Sequence, residues 1–389
     1  MPHPESTTQE QPPVRPIQLF VPSFHVDESL EAIRGCLEIG WSGLGHLTVE
    51  IEERWKEYAG FAHAHFLNSN TAGLHLALEV LKRRHGWQDG DEVITTPLTF
   101  VSTNHAVLYC DLVPVFADID EYLCMDPESL LERITSRTRA VIFVGIGGNV
   151  GRYAEVLRIC RERGIKVVLD AAHMAGTRLG ETHVGIDADA TVFSFQAVKN
   201  LATADSGMVC FADGDDDRTA RRLSWLGISK DTYERTHGGG AYKWMYEVDE
   251  LGYKYHGNSV MAALALVGLR YLDEENAQRR RVAAAYDDAL DGAGGVEIVR
   301  MAPGCTPSRH LYQIRVAERD AVMLALNERG IYAGVHYRDN SAYSLYAPYR
   351  RETPRAAAAS DSLISLPLHL RLTDEDVARV VHAVREVAG

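Results

Sequence analysis

The 389-residue chain lacks any apolar run approaching the roughly 18 residues that a membrane helix needs, and it lacks a surplus of positive charge. Lys plus Arg number 40 against 54 Asp plus Glu, a formal net charge of −14. A protein whose main partner is a phosphate backbone usually carries the opposite sign, which argues against nucleic acid as a partner. The six cysteines, Cys36, Cys110, Cys124, Cys160, Cys210 and Cys305, never fall within four residues of one another. That spacing removes CxxC redox motifs and zinc knuckles. Each sits in or beside an apolar run, where a small core side chain belongs. Residues 1–16, MPHPESTTQEQPPVRP, have no basic stretch followed by an apolar one and are not expected to act as a secretory signal. Their Pro, Gln, Glu and Thr content reads as a disordered tail. A cytoplasmic protein with no membrane partner is the expectation.

What is present is ordinary globular composition, 46% apolar and 24% charged. From residue 61 to 212, short apolar runs alternate with amphipathic helical ones. The runs are AHFLNS (64–69), EVITTP (92–97), VPVFAD (113–118), RAVIFVG (139–145), KVVLDA (166–171), ATVFSF (190–195) and GMVCFA (207–212). Helical patterns lie between several of them, as in TAGLHLALEVLKRR (71–84) and RYAEVLRICRERG (152–164). Nearly continuous apolar strands alternating with helices require a mostly parallel sheet covered on both faces, a doubly wound α/β unit. Over 213–260 the pattern changes: DGDDD (213–217) reads as an acidic loop, and HGGGAYKW (237–244) as a glycine-rich functional excursion. A long helical pattern, straight or kinked, runs from near Ser259 through Ala289. Beyond it, runs at 296–301, 310–316, 332–337 and 362–367 alternate with helices at 318–329 and 373–388, an α+β unit. The division is therefore a tail (1–16), a large α/β domain (17–258), a bridging helix (259–289) and a smaller C-terminal α+β domain (290–389).

Four features fall at strand ends or just after them, where open α/β sheets bind ligands. NSNTAGLHLAL (68–78) is a strand, a polar turn and a helix start, which serves either as a phosphate cradle or as a plain N-cap. Asp170 ends the apolar run IKVVLD; it caps the next helix or pairs with a protonated heterocycle. Lys199 follows ATVFSFQAV, and it either snorkels to water or, desolvated, becomes a nucleophilic amine suited to a Schiff base. Phe100, after the run 92–97, covers a planar ring or joins the core. Together these supply the division of labour that pyridoxal phosphate needs: a phosphate turn, an aromatic, an acid for the ring nitrogen and a lysine 29 residues beyond that acid.

In these stretches the chain resembles the DegT-type nucleotide-sugar aminotransferases, a branch of the fold-type I pyridoxal-phosphate enzymes. SNTAGLHLAL, GDEVITTPLTFVSTNHAV, VPVFADID, VVLDAAHMAGT, TVFSFQAVKN, ELGYKYHGNSVMAAL and GVHY carry the likeness in order, across roughly residues 17–385. The resemblance implies pyridoxal 5'-phosphate as cofactor, with pyridoxamine phosphate as its aminated form. It implies Lys199 as the Schiff-base lysine and Asp170 as the partner of the ring nitrogen. Thr71, Ala72 and Ser194 would hold the phosphate; Phe100 and His173 would lie against the ring. It also implies a homodimer with shared sites, in which Lys254 of GYKYH reaches the partner's phosphate, with His256 and Asn258 as alternatives. Many relatives read GYNYR there, and many have histidine where Gln196 stands. L-glutamate is the implied donor and a nucleoside-diphosphate keto-deoxysugar the acceptor.

A dehydratase branch of the family carries histidine at the position of Lys199, so dehydration is disfavoured. WLGISKDTYER (225–235), GYKYH and GVHY look most like members that aminate carbon four of a thymidine-diphosphate 6-deoxyhexose, as in deoxyaminosugar and natural-product pathways. Carbon three is the near alternative. Lys230, Arg235 and Lys243 are candidates for the sugar diphosphate, or else solvated surface cations. Two other classes stand beside this one. A non-catalytic sensor would keep the cofactor pocket, and an oxidoreductase would need a G-x-G-x-x-G after its first strand. GIGGNVG (145–151) follows the fourth strand instead and reads as a turn.

Overall fold

The computed structural model describes residues 15–228 and 246–389. Its centre is a seven-stranded sheet in the order β1-β9-β8-β5-β4-β2-β3. The strands are β1 (His65–Leu67), β2 (Glu92–Thr95), β3 (Val113–Phe116), β4 (Thr138–Val144), β5 (Lys166–Asp170), β8 (Ala190–Ser194) and β9 (Gly207–Phe211). Each of the seven apolar runs supplies one of them. β3, β2, β4, β5 and β8 are parallel neighbours, whereas β9 runs antiparallel between β8 and β1. The runs are apolar throughout because alternate residues enter different layers. Val141 and Phe143 of β4 join Trp55, Phe193 and Phe195 on one face. Ala140 and Ile142 join Leu74, Leu78 and Val107 on the other. The first layer includes α2 (His46–Ala59) and α6 (Tyr153–Glu162); the second is built on α3 (Asn70–His85) and α4 (Val101–Tyr109).

The register sets the ends of several strands side by side. Val144 pairs with Asp170, and Asp170 with Val192, two residues before Ser194. Ser194 faces Gly207, which faces Leu67, two residues before the N-cap Ser69 of α3. The carboxyl ends of β4, β5, β8 and β1 therefore converge on one edge with the start of α3.

Three sequence expectations are corrected. DGDDD is not a loop: Asp213 is the N-cap, and Asp215–Asp217 form the first turn, of helix α7 (Gly214–Ser224). Acidic side chains are stabilising there, because the first turn has free N–H groups and the positive end of the helix dipole; Arg84 also pairs with Asp213 and Asp216. The bridging helix is two helices, Ser259–Leu269 and Leu272–Leu290. Between them, Tyr271 stacks on His25 with ring centroids 3.5 Å apart and donates its hydroxyl to Glu28 at 2.5 Å. YAGVHY is not a strand. Ile331 bridges Ile17 and Gly334 bridges Ser365, so its backbone serves two different partners and no ladder extends.

The C-terminal unit holds strands Val296–Ile298, Tyr312–Val316 and Leu363–Leu366 in one antiparallel sheet, with helices Arg319–Glu328 and Asp374–Ala388. Its core centres on Tyr286, Tyr312, Ile314 and Leu366, and Ile17 belongs to that core rather than to the large sheet. All six cysteines are free, five of them buried.

Candidate active site

The converging strand ends border a cavity of about 370 Å³. Thr71, Phe100, Asp170, His173, Ser194 and Lys199 all line it, so six residues singled out from the sequence meet in one place. Asp170, the last residue of β5, is 4% exposed, and burial raises its carboxyl above the usual range. The ionised form is supported in turn by Thr103 Oγ1, which donates to Oδ2 at 2.7 Å, and by the backbone amide of Ala172, which donates to Oδ1 at 3.2 Å. Lys199 adds a favourable charge. The carboxylate is thus desolvated, held on both oxygens and open to one more cation.

Lys199 is half-buried on the cavity wall; its backbone amide bonds the Gln196 carbonyl at 2.8 Å, but its Nζ makes no hydrogen bond or ion pair among the described residues. Burial lowers its pKa to about 8, opposed only by the charge of Asp170. A lysine near 8 has a substantial share of neutral amine near neutral pH, which is the nucleophilic form.

His173 is buried and held neutral, its pKa well below the ordinary value through burial first and Lys199 and His336 next. Its tautomer follows from its partners. The Gly147 amide can only donate, so Nδ1 accepts at 3.1 Å, and Nε2 carries the proton toward the Tyr337 hydroxyl at 3.1 Å. Phe100 is no core aromatic. It is 57% exposed at the N-cap of α4, with its ring 6.0 Å from that of Tyr337.

At the other end of the cavity, α3 begins. Ser69 Oγ accepts from the Ala72 amide at 3.1 Å, so Ala72 takes part in the cap. The first-turn residues Asn70 and Thr71 line the cavity, and amides at such a helix start, free of intrahelical partners, suit an anion. Gly207 lets this turn approach the sheet: a Cβ there would lie 2.8 Å from the Asn70 nitrogen and 2.8 Å from the Phe193 oxygen. A helix start, a desolvated carboxylate and an uncommitted amine on one wall fit the phosphate, ring nitrogen and aldehyde of pyridoxal phosphate.

Lys254 is not brought to this cavity; its Nζ lies 3.3 Å from the centroid of the Trp225 ring. Asn258 caps the helix Ser259–Leu269, accepting from the Met261 amide at 2.9 Å, and His256 Nδ1 contacts the Gly257 carbonyl at 2.7 Å. Lys230, Arg235 and Lys243 lie outside the described residues. Gln196 lines the cavity, its Oε1 accepting from the Val198 amide at 3.1 Å.

Sequence reasoning missed Asn70, Thr103, Phe20, His310, His336 and Tyr337. Thr103 carried a usable signal, because it stands one turn after Phe100 on α4. Phe20 and His310 stack with centroids 5.4 Å apart at the cavity mouth, but they come from opposite ends of the chain.

The protein-family model for the DegT/DnrJ/EryC1/StrS aminotransferase family matches residues 25–385. The chain belongs to this family. It is a pyridoxal-phosphate-dependent sugar aminotransferase with the fold-type I architecture. It is 35% identical over 372 residues to the spore coat polysaccharide biosynthesis protein SpsC of Bacillus subtilis, covering 92% of this chain and 94% of that one. Among solved structures it is similar to the aminotransferase TlmJ from Streptoalloteichus hindustanus, with a TM-score of 0.87 and 32% identity over 95% and 98% of the two chains. It is also similar to Spr1654 of Streptococcus pneumoniae, solved in its PLP form, with a TM-score of 0.87 and 27% identity over 96% and 98%. A PMP form of Spr1654 matches as well, with a TM-score of 0.87 and 28% identity over 95% of this chain and 98% of that one. The family assignment removes the oxidoreductase reading.

Proposed function

We propose that this aminotransferase moves an amino group from L-glutamate to the keto carbon, carbon four, of a nucleoside-diphosphate 4-keto-6-deoxyhexose carrying thymidine diphosphate. The observation that carries the chemistry is the pairing of a desolvated Asp170 carboxylate with an uncommitted Lys199 amine across one cavity. When bound, pyridoxal phosphate supplies an electron sink for the carbon that loses a proton. Lys199 anchors the cofactor. Its amine, with a pKa of about 8, is suited to take the proton from the donor's α-carbon and to return one to the acceptor carbon. Asp170 keeps the ring nitrogen protonated by remaining ionised. Thr71, Ala72 and Ser194 orient the phosphate, while Phe100 and His173 flank the ring, the Gly147 amide fixing the His173 tautomer and Tyr337 meeting its Nε2.

The choice of carbon four rests on the likeness of WLGISKDTYER, GYKYH and GVHY to members acting at that position. The working unit in this reading is a cytoplasmic homodimer, Lys254 of one subunit serving the phosphate of the other, and Lys230, Arg235 and Lys243 meeting the sugar diphosphate. The product belongs to deoxyaminosugar biosynthesis. NMR of products formed with glutamate and a panel of keto-deoxysugar nucleotides tests this. An axial or equatorial amine at carbon four is expected. An amine at carbon three replaces this substrate with its neighbour, and an aminated sugar formed without 2-oxoglutarate, or none formed with glutamate, removes glutamate as the donor.

A further inference from the structure

A second group of ligating side chains lies away from the cofactor cavity, between α3 and the end of α4. His75 and Glu79 are one turn apart on α3 and share a face. Cys110 is the C-cap of α4. One ligand atom from each residue lies within 4.8 Å of the other two. Imidazole, carboxylate and thiolate are the donors that zinc-type ions take, and none of the three lines the cofactor cavity.

The polar accounting here is incomplete. His75 is 5% exposed, and its Nδ1 lies 3.0 Å from the Tyr255 hydroxyl. Its Nε2 is buried with no hydrogen-bond partner among the described residues, a costly arrangement for a ring nitrogen. Burial holds the ring neutral, the form that ligates. Cys110 is 2% exposed, and burial followed by the charge of Glu79 pushes its thiol well up, so without a cation it keeps its proton. Nearby cations are already committed. Arg83 Nε bonds Glu79 at 2.7 Å, and Arg83 also pairs with Glu250. Lys82 bonds Asp89 at 2.6 Å and the Cys110 carbonyl at 2.7 Å. Glu79 is half-buried and gives the group its outward side.

We propose that His75, through Nε2, Glu79 and Cys110 bind one divalent d-block cation of the zinc class, with water completing four-coordination and the Tyr255 hydroxyl orienting the imidazole through Nδ1. The Cys110 S–H bond breaks as the sulfur–metal bond forms, and its proton leaves to solvent. No electron is transferred. Thiolate and carboxylate together balance the two positive charges, so the buried site is neutral. The ion would clamp α3, whose first turn borders the cofactor cavity, to the end of α4. The proposal stands independently of the sugar and of the carbon aminated.

The test is a cobalt(II) titration of metal-stripped, cofactor-loaded protein in a non-thiol reductant, read as difference spectra. One ion per chain is expected, with a thiolate charge-transfer band, visible bands of tetrahedral intensity beyond the cofactor absorption, and about one proton released per ion. Cys110→Ser should lose the charge-transfer band and bind at least about a hundredfold more weakly, with cofactor absorbance retained. Octahedral-type spectra, or equal affinity in Cys110→Ser, overturn the proposal. If that variant does not fold, Glu79→Gln carries the same decision: weakened binding supports the site, and unchanged affinity overturns it.

Discussion

Replacing Thr103 by valine should move the acid limb of activity to higher pH without abolishing activity. Thr103 Oγ1 donates to Asp170 Oδ2 at 2.7 Å, and both residues are buried. Burial already raises the carboxyl, and this donor is the largest influence opposing that rise. A hydrogen bond to an ionised group contributes about 1.5–3 kcal/mol. One pKa unit corresponds to about 1.4 kcal/mol, so losing the bond should raise the Asp170 pKa by roughly one to two units. The sign is fixed by the role: the ring nitrogen needs an ionised partner, and valine favours the neutral acid. The kcat/KM of the glutamate half-reaction, measured against pH at saturating cofactor, should therefore fall at low pH and recover toward wild type as pH rises.

The same substitution has a structural cost that must be separated from this effect. Thr99 Oγ1 sits 2.9 Å from Thr103 Oγ1 and would lose that partner, costing about 1–3 kcal/mol of stability. Thermal unfolding measures that loss directly. Damage of this kind lowers activity at every pH, whereas a shifted Asp170 restores it on the alkaline side. An activity loss of equal size across the pH range, with the acid limb unmoved, would refute the reasoning.

The remaining expectations concern the lysine, the phosphate turn and the second subunit. The rate at which apoenzyme recombines with pyridoxal phosphate should climb with pH through about 8 and level off above it, as Lys199 loses its proton. Lys199→Ala should show no visible-edge band that borohydride bleaches, and a pH-independent recombination rate would contradict the assignment. Gly207→Ala places a Cβ 2.8 Å from backbone atoms of α3 and β8, so it should cost on the order of 1–3 kcal/mol in thermal unfolding and weaken cofactor binding at least tenfold; wild-type affinity would remove the turn from the phosphate site. Mixed and re-annealed Lys199→Ala and Lys254→Ala chains should regain activity approaching about a quarter of wild type, because half of the resulting dimers hold one intact site. No recovery from two correctly folded variants would exclude Lys254 as a cross-subunit ligand.

Much of the large sheet is legible in the sequence because buried parallel strands leave an unmistakable imprint. KVVLD and ATVFS are apolar on both faces, and each ends in a polar residue at the same edge. Asp170, at the tip of β5, is a charge that demands a partner; Lys199 lies five residues beyond the end of β8, and the combination of features and the family resemblance, not its own position, single it out. DGDDD misleads because dense acid looks like solvated loop, although the same residues suit the first turn of a helix. YAGVHY alternates like a strand, yet Ile331 and Gly334 bond in different directions. His310 leaves no local imprint, and GVHY carries the family likeness without marking His336 and Tyr337 as lining a site. They reach the cavity only because the C-terminal unit packs over the sheet edge, a fact of tertiary structure that no short pattern encodes.

The net charge of −14 acquires a sharper meaning at the cavity itself. Among its described lining residues there is one lysine, no arginine, and the acids Asp170 and Asp205. The proposed ligands bring a cofactor phosphate, a sugar diphosphate and the carboxylates of glutamate. The α3 start can meet a phosphate with backbone amides, which adds no titratable charge. The other anions require cations from elsewhere. His173, His310 and His336 cannot supply them, because burial holds all three neutral well below pH 7. Lys254 is better placed to serve: it is held over Trp225 in a segment tied to β1 by the Leu67–His256 bridge, so it is ordered without being spent on a carboxylate. The proposed dimer accounts for both observations: a cavity lined by one lysine and no arginine, and a Lys254 that does not line it, would be reconciled if Lys254 served the site of a second subunit.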